Sequence, residues 1–206
     1  MKGPYRQFRQ SVRAMLGLFL VFVMLPGCST RVIPPAQPQQ PVTVHLMDHG
    51  RHASLILPAP ETGWVRYAHG EWRWYAKHET GFWRAVSALF LPTDAAIARG
   101  WLESVPGRGE YSPAIPEGFE TIHSFSVEKH QVTALRSRLE SHFEAPEKTY
   151  FQARYNLHFV PYPQAYSVLS NSNQVMAQWL RELGAEVESA GLLSDWRLQA
   201  RDGPSP

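Results

Sequence analysis

The sequence predicts a single α+β domain in which a mainly antiparallel sheet packs against helices. Two short apolar runs, over residues 42–47 and 53–57, flank a turn sequence and are typical of paired strands. Two later segments repeat apolar residues at helical spacing. The predicted strands and helices follow one another irregularly, which favours an α+β fold over the regular βαβ repeat of a parallel sheet.

Five segments predict the strands of this sheet. The first two are the apolar runs, which a tight turn over residues 48–51 joins as a hairpin. Trp64 to Tyr67 predict a third strand, and the alternating residues 120–125 predict a fourth. The aromatic segment 150–160 predicts the last strand, which ends near Pro161 and Pro163.

The first two predicted helices lie in the middle of the chain. Residues 82–90 place apolar side chains on one helical face after Thr80, a suitable cap, and Pro92 ends that pattern. Residues 95–102 predict a second, short helix.

The last two predicted helices have clearer boundaries. Ser126 predicts the N-cap of a helix whose inner face holds Val132, Leu135, Leu139 and Phe143. Asn171-Ser172-Asn173 precedes an amphipathic stretch that Gly184 closes, which predicts the final helix.

Residues 1–27 predict an export signal. Its positive n-region contains Lys2, Arg6, Arg9 and Arg13. The apolar stretch that follows is too short to span a bilayer comfortably and ends in Leu25-Pro26-Gly27-Cys28. This ending resembles the lipobox of bacterial lipoproteins. The resemblance implies that Cys28 becomes the first residue, carries diacylglycerol and a further acyl chain such as palmitate, and anchors the protein in a membrane.

Removal of the signal changes the charge of the chain. The precursor has a formal net charge of +2, but the mature chain keeps only 16 of the 20 Lys and Arg residues against all 18 Asp and Glu residues. Its net charge of about −2 gives no support for a nucleic-acid partner. Because Cys28 is the only cysteine, the mature domain has no disulfide and depends on its core for stability.

The mature chain divides into three parts. Residues 28–41 are rich in Pro and Gln and predict an extended tether. Residues 42–202 predict one domain, and residues 203–206 a disordered tail. Ser29, rather than Asp, follows the cysteine, which favours the periplasmic face of the outer membrane in a Gram-negative cell.

Two segments carry side chains suited to chemistry. His52 lies at the start of a predicted strand in Gly50-Arg51-His52-Ala53, and Ser172 lies at a predicted helix start between two asparagines. With the Tyr/Gly/acidic/aromatic patch between them, this order resembles an uncharacterised bacterial family sometimes labelled urease-associated. The motifs of that family read Gly-Trp-His-Thr, then Phe-Gly-Trp-Gly-Asp with Phe-Tyr after it, then Thr-Cys-Asn-Thr-Trp. The resemblance spans nearly the whole mature domain.

The resemblance assigns provisional roles to individual residues. His52 takes the place of the family histidine, residues 67–71 stand at the Gly-Trp-Gly-Asp segment, and Ser172 stands where the family has cysteine. An early histidine on a strand and a late cysteine on a helix are similar to a circularly permuted papain-like domain, as in NlpC-type peptidases and lecithin:retinol acyltransferase relatives. By this resemblance the candidate catalytic residues are His52, Ser172 and Glu71, and the candidate binding residues are Asn171, Asn173, Trp74 and Tyr75.

The presence of Ser172 in place of the family cysteine limits the reactions that this site could catalyse. A thiol at a helix amino terminus beside an imidazole ionises near neutral pH. A serine hydroxyl stays protonated, so Ser172 would need His52 as a true general base, together with an oxyanion hole built for the longer reach of sulfur. Ser172 is therefore an ordinary helix-start residue, a residual nucleophile, or part of a degenerate site that binds without cutting.

The histidine-rich turn raises a separate question about metal. Four possible ligands fall within eight residues: His45, Asp48, His49 and His52. Strand alternation argues against convergence of all four, and no HExxH motif is present. We therefore expect a solvated turn with no metal and no cofactor. His52 is then either a hydrogen-bonded residue beside the turn or the histidine of the site.

Together these features predict a lipid-anchored periplasmic protein with a degenerate thiol-peptidase-like site. Its expected ligand is a peptidoglycan peptide, a lipid or an envelope protein. Two alternatives stay open: a serine-dependent amidase or esterase that uses Ser172 and His52, and a structural envelope scaffold without a site.

Overall fold

The computed structural model describes residues 29–79, 92–107, 109–167, 170–188 and 194–201. Seven strands form the main sheet: β2 (Pro41–Asp48), β3 (Ala53–Pro58), β4 (Trp64–Glu71), β5 (Thr93–Leu102), β6 (Thr121–Glu128), β7 (Tyr150–Gln152) and β8 (Leu157–Tyr166). Their order is β6-β2-β3-β4-β5-β8-β7, and every neighbouring pair is antiparallel. The prediction of an α+β domain with a mainly antiparallel sheet is confirmed, as is the β2–β3 hairpin.

A smaller, three-stranded sheet stands beside the main one. It contains β1 (Thr30–Ile33), β9 (Glu186–Glu188) and β10 (Trp196–Leu198), with β1 in the middle. Strand β1 lies in the segment predicted as a tether, so that prediction is wrong for this stretch. The reason is that Thr30 and Val32 are fully buried and the backbone of β1 is paired on both sides.

Two helices cover one face of the main sheet. They are α1 (Lys129–Glu140) and α2 (Ser172–Glu182). Apolar side chains of α2, among them Met176 and Trp179, join those of β3 and β4 in the largest hydrophobic cluster. Helix α2 begins and ends as predicted, and Gly184 follows it with a φ of +82°. Helix α1 begins after Glu128 rather than at Ser126, because β6 continues as far as Glu128.

The short helix predicted over residues 95–102 is wrong, because these residues belong to β5. Ala95, Ala96 and Ala98 favour helices intrinsically, but helix propensity is a weak preference that tertiary packing often overrides. Strand β5 pairs with β4 on one side and β8 on the other, and its alanines are buried between them. The central place in the sheet therefore decides its conformation.

The single strand predicted over residues 150–160 is two strands. Strands β7 and β8 are antiparallel and joined by a turn in which Asn156 has a φ of +50°. Strand β8 continues past Pro161 and Pro163 to Tyr166. The helix predicted over residues 82–90 lies outside the described residues. Among the helices that the structure describes, none has the length and apolar character needed to cross a bilayer.

Candidate functional site

The side chains singled out above gather at one end of the main sheet. Strand β2 ends there at Asp48 opposite the start of β3 at Ala53, and β4 ends there at Glu71 opposite Ala95 of β5. Strand β8 also ends there, and α2 begins shortly after it. Because side chains alternate along a strand, these residues divide between two faces. We call the face that packs on α1 and α2 the helix face and the other the opposite face.

On the helix face, polar groups already occupy the amino terminus of α2. The Asn171 side chain accepts hydrogen bonds from the backbone N–H groups of Asn173 and Gln174, at 2.9 and 3.0 Å. Ser172 is 5% exposed and hydrogen-bonds Tyr166 through both its backbone and its hydroxyl. The first three N–H groups of α2 therefore have partners within the chain.

A buried histidine that the sequence analysis did not single out lies beside Tyr166. His69, on the helix face of β4, is 3% exposed, and its ring stacks on Tyr166 with the centroids 6.0 Å apart. Tyr162 meets the same ring edge-on at 5.1 Å. Within the described residues, neither ring nitrogen of His69 has a hydrogen-bond partner. Burial lowers the pKa of His69 to about 4, so the imidazole is neutral at neutral pH.

The acidic and aromatic residues that follow β4 form one tight turn. Residues Trp72–Ala76 make a single π-helical turn, and the Glu71 carboxylate caps it by accepting the backbone N–H of Trp74 at 2.6 Å. This turn folds Tyr75 back over Gly70, where an added Cβ would lie 2.3 Å from the tyrosine ring. Burial, reinforced by the neighbouring phenols of Tyr166 and Tyr155, raises the pKa of Tyr75. Glu71 therefore shapes the turn, while Tyr75 fills space between the two faces.

His52 lies on the opposite face. Its ring stacks on His49 with the centroids 4.5 Å apart. It also makes T-shaped contacts with the rings of Tyr75 and Tyr155, with centroid distances of 5.3 and 6.4 Å. Burial, followed by the charge of Arg66, lowers the pKa of His52 to about 4. His52 is thus a neutral imidazole packed among aromatic rings.

A buried ion pair lies next to the two stacked histidines. Arg66, on the opposite face of β4, is fully buried, and its Nη2 lies 2.9 Å from Oε1 of Glu117. The same nitrogen donates to the backbone carbonyl of Tyr155 at 2.8 Å. Burial raises the pKa of Glu117, and the guanidinium of Arg66 acts against that change. This pair holds the loop that contains Glu117 against the sheet.

The structure therefore brings His52 and Ser172 to the same end of the sheet but onto different faces. Tyr75 and Tyr166 lie between them: Tyr75 contacts His52, and Tyr166 bonds to Ser172. Tyr166, His69 and Glu117 are site residues that the sequence did not predict. His69 follows the core residue Tyr67 by two positions on one strand, and this spacing could have predicted its burial. Glu117 lies in a loop, where no local pattern predicts its place.

The two other members of the histidine-rich turn point elsewhere. His45 lies 2.7 Å from the Ser124 hydroxyl and meets Trp64 edge-on. The Asp48 carboxylate accepts hydrogen bonds from Gly50, Ser194 and Trp196, so it organises the turn and attaches the strand β10 segment. The four residues do not converge, as strand alternation predicts.

We compared the chain with protein-family models, curated proteins and solved structures. No protein-family model, curated protein or solved structure matches the chain. Cys28 and its flanking residues lie outside the described part of the structure.

Proposed function

We propose that this protein is a lipid-anchored envelope protein whose papain-like domain binds its ligand without cleaving it. One observation carries the proposal: the groups that an acyl-transfer site needs at the start of α2 are already engaged. The Ser172 hydroxyl and N–H bond to Tyr166, and the next two N–H groups bond to Asn171. An oxyanion hole requires such donors to be aimed at the substrate instead.

The available bases support the same conclusion. A serine nucleophile needs an imidazole within hydrogen-bond reach of its hydroxyl. His52 lies on the opposite face among aromatic rings. His69 is on the same face as Ser172, but its nitrogens have no hydrogen-bond partner in the part of the chain that the structure describes. Ser172 is therefore not activated in this arrangement.

A groove beside α2 suggests the chemistry of the ligand. A cavity of about 250 Å³ lies between the end of β8 and the length of α2, from its first turn to its last. It is lined by Gln164, Ser170, Gln174, Val175, Gln178 and Arg181. Amide, hydroxyl and guanidinium groups suit a polar ligand with carboxylates, such as a peptidoglycan peptide, better than an acyl chain.

The lipobox-like sequence before Cys28 supports the proposed membrane attachment. Leu25-Pro26-Gly27-Cys28 follows a basic and then an apolar stretch, the order of a lipoprotein signal. Acylation of Cys28 would keep the domain at the membrane surface. Replacing Cys28 with serine should abolish palmitate incorporation and move the protein from the detergent phase to the aqueous phase. Unchanged partitioning would contradict the anchor.

A fluorophosphonate probe tests whether the site is catalytic. The full chain, solubilised in detergent, should remain unlabelled while a known serine hydrolase in the same tube is labelled. Labelling that disappears in Ser172→Ala but persists in Ser126→Ala, an exposed serine on β6, would overturn the non-catalytic proposal.

Calorimetry with a soluble disaccharide-tetrapeptide from peptidoglycan tests binding. We expect saturable binding that Arg181→Gln weakens about tenfold or more, because the variant loses a charged partner for a carboxylate. Arg154→Gln, at an exposed position on the β7–β8 turn, is the matched control. Absence of binding, or equal binding by both variants, would exclude this ligand class.

A further inference from the structure

Three possible metal ligands meet on the opposite face of the sheet. The ligand atoms of His49, His52 and Glu117 all lie within 4.8 Å of one another. The two histidines come from the β2–β3 turn, and Glu117 comes from a loop about 65 residues later. We propose that His49, His52 and Glu117 bind a divalent transition-metal ion such as Zn²⁺. The site is distinct from the start of α2, so the inference goes beyond the proposed function.

The donor set matches the chemistry of such an ion. Two imidazole nitrogens and one carboxylate oxygen are a common protein ligand set for zinc, with the fourth position left for water or a ligand. Metal–ligand distances of about 2.0–2.2 Å bring ligand atoms to about 3–3.5 Å from one another. The three groups therefore need only a short inward movement, part of which the flexible Glu117 side chain can supply.

The hydrogen bonding of His49 prepares it for this role. Its Nδ1 lies 2.6 Å from the backbone carbonyl of Gly118. A carbonyl oxygen only accepts hydrogen bonds, so Nδ1 carries the proton and Nε2 holds the free lone pair. Metal-ligating histidines typically donate their other N–H to a carbonyl or carboxylate in this way. Nε2 now accepts from the Ser54 hydroxyl at 3.0 Å, and that hydroxyl rotates away when a metal binds.

The stacking of the two imidazoles sets the movement that metal binding needs. Their ring centroids are 4.5 Å apart and the rings are nearly parallel, at 11° to each other. The His52 ring therefore tilts out of the stack to share one ion with His49.

The positive charge of Arg66 affects which metal complex can bind at the site. Its guanidinium repels a bare cation, but its Nε and Nη1 are buried and have no hydrogen-bond partner among the residues described. The carboxylate of Glu117 neutralises the positive charge of Arg66 through the 2.9 Å contact. A metal ion whose fourth ligand is an anion, such as hydroxide or a carboxylate, adds only one net charge and supplies an acceptor for those N–H groups. We expect the bound ion to carry such an anion.

Titration of the full chain with Co²⁺ tests the site. Four-coordinate Co²⁺ has intense visible absorption bands, which report both stoichiometry and geometry. We expect one equivalent to bind and Zn²⁺ to displace it. His52→Gln should weaken binding at least about tenfold, whereas His158→Gln, at an exposed position on β8, should leave it unchanged. The absence of saturable 1:1 binding, or equal binding by the two variants, would overturn the inference.

A folding control separates loss of metal binding from loss of structure in the variants. Glu117→Gln should also weaken Co²⁺ binding, but it leaves the Arg66 charge buried without its partner and lowers stability. His52→Gln leaves the Arg66–Glu117 pair intact. Near-ultraviolet circular dichroism establishes whether each variant is folded. Because the readout is metal stoichiometry, a negative result leaves the fluorophosphonate and peptide-binding tests unaffected.

Discussion

The Tyr166 phenol is hydrogen-bonded to both the backbone and the hydroxyl of Ser172. The phenol comes from the end of β8, and Ser172 begins α2. This contact ties the last strand of the site to the helix that follows it. It also gives the buried Ser172 hydroxyl a partner within the chain.

Replacing Tyr166 with phenylalanine should destabilise the protein. The change leaves the Ser172 N–H and hydroxyl without their acceptor in a buried place, which costs about 1–3 kcal/mol in the free energy of unfolding. Urea denaturation measures the loss. Tyr111→Phe, at a tyrosine that is 79% exposed, is the control and should have no effect. An unchanged midpoint for Tyr166→Phe would show that the contact contributes nothing.

The N-cap of α2 should show a clear chemical preference. Asn171→Ala removes the acceptor of two backbone N–H groups and should cost about 1 kcal/mol. Asn171→Asp keeps a cap oxygen and should retain most of the stability. Thermal or urea unfolding of both variants gives the comparison. Equal losses in the two would rule out capping as the role of this side chain.

Buried histidines should make the protein sensitive to acid. The pKa of His69 is about 4 in the folded state against 6.5 for an ordinary histidine. Between these values the unfolded chain binds a proton that the folded chain does not, so stability falls as the pH drops from about 6.5 to 4. Above pH 6.5 the ring is neutral in both states and contributes no pH dependence.

The predicted loss from His69 is about 3 kcal/mol at pH 4. Urea denaturation at several pH values measures it. His69→Gln should reduce the slope between pH 4 and 6.5, although His52, whose pKa is lowered in the same direction, should maintain part of it. His158→Gln, the exposed control, should keep the wild-type slope. An identical slope in His69→Gln would contradict the burial of a neutral ring.

Gly70 should be intolerant of a side chain. A Cβ at this position would lie 2.3 Å from the Tyr75 ring, and the ring is held by its neighbours His52 and Tyr155. We expect Gly70→Ala to cost about 1–3 kcal/mol in the free energy of unfolding. Gly107→Ala, whose Cβ meets only the flexible end of Glu110 at 3.3 Å, is the control. A small effect at Gly70 would mean that Tyr75 moves freely.

The parts of the fold that the sequence predicts correctly have local signals. The β2–β3 hairpin has a turn with Gly50 at positive φ, and α2 has Asn171 before it and Gly184 after it. Strand β5 has no such signal, because its alanines favour a helix and only its neighbours make it a strand. The same holds for β1, whose partners come from the other end of the chain.

The candidate site follows the same rule. His52, Ser172 and Tyr75 could be named from motifs, but the face on which each lies depends on the register of the strands and the path of the turns. His69 is buried because it lies two residues after Tyr67 on β4, and both side chains therefore point to the face that packs on the helices. Glu117 reaches Arg66 across 51 positions of the chain, a distance that no local pattern spans.

With a lipid on Cys28, the pairing of β1 would limit how far the domain can lie from a membrane. Thr30 is two residues after Cys28, and consecutive Cα atoms are about 3.8 Å apart. A lipid on Cys28 would thus attach within about 8 Å of the three-stranded sheet, with no spacer of useful length between the acyl chains and the fold. The domain would rest on the headgroups, and any ligand would have to approach within one domain diameter of the bilayer.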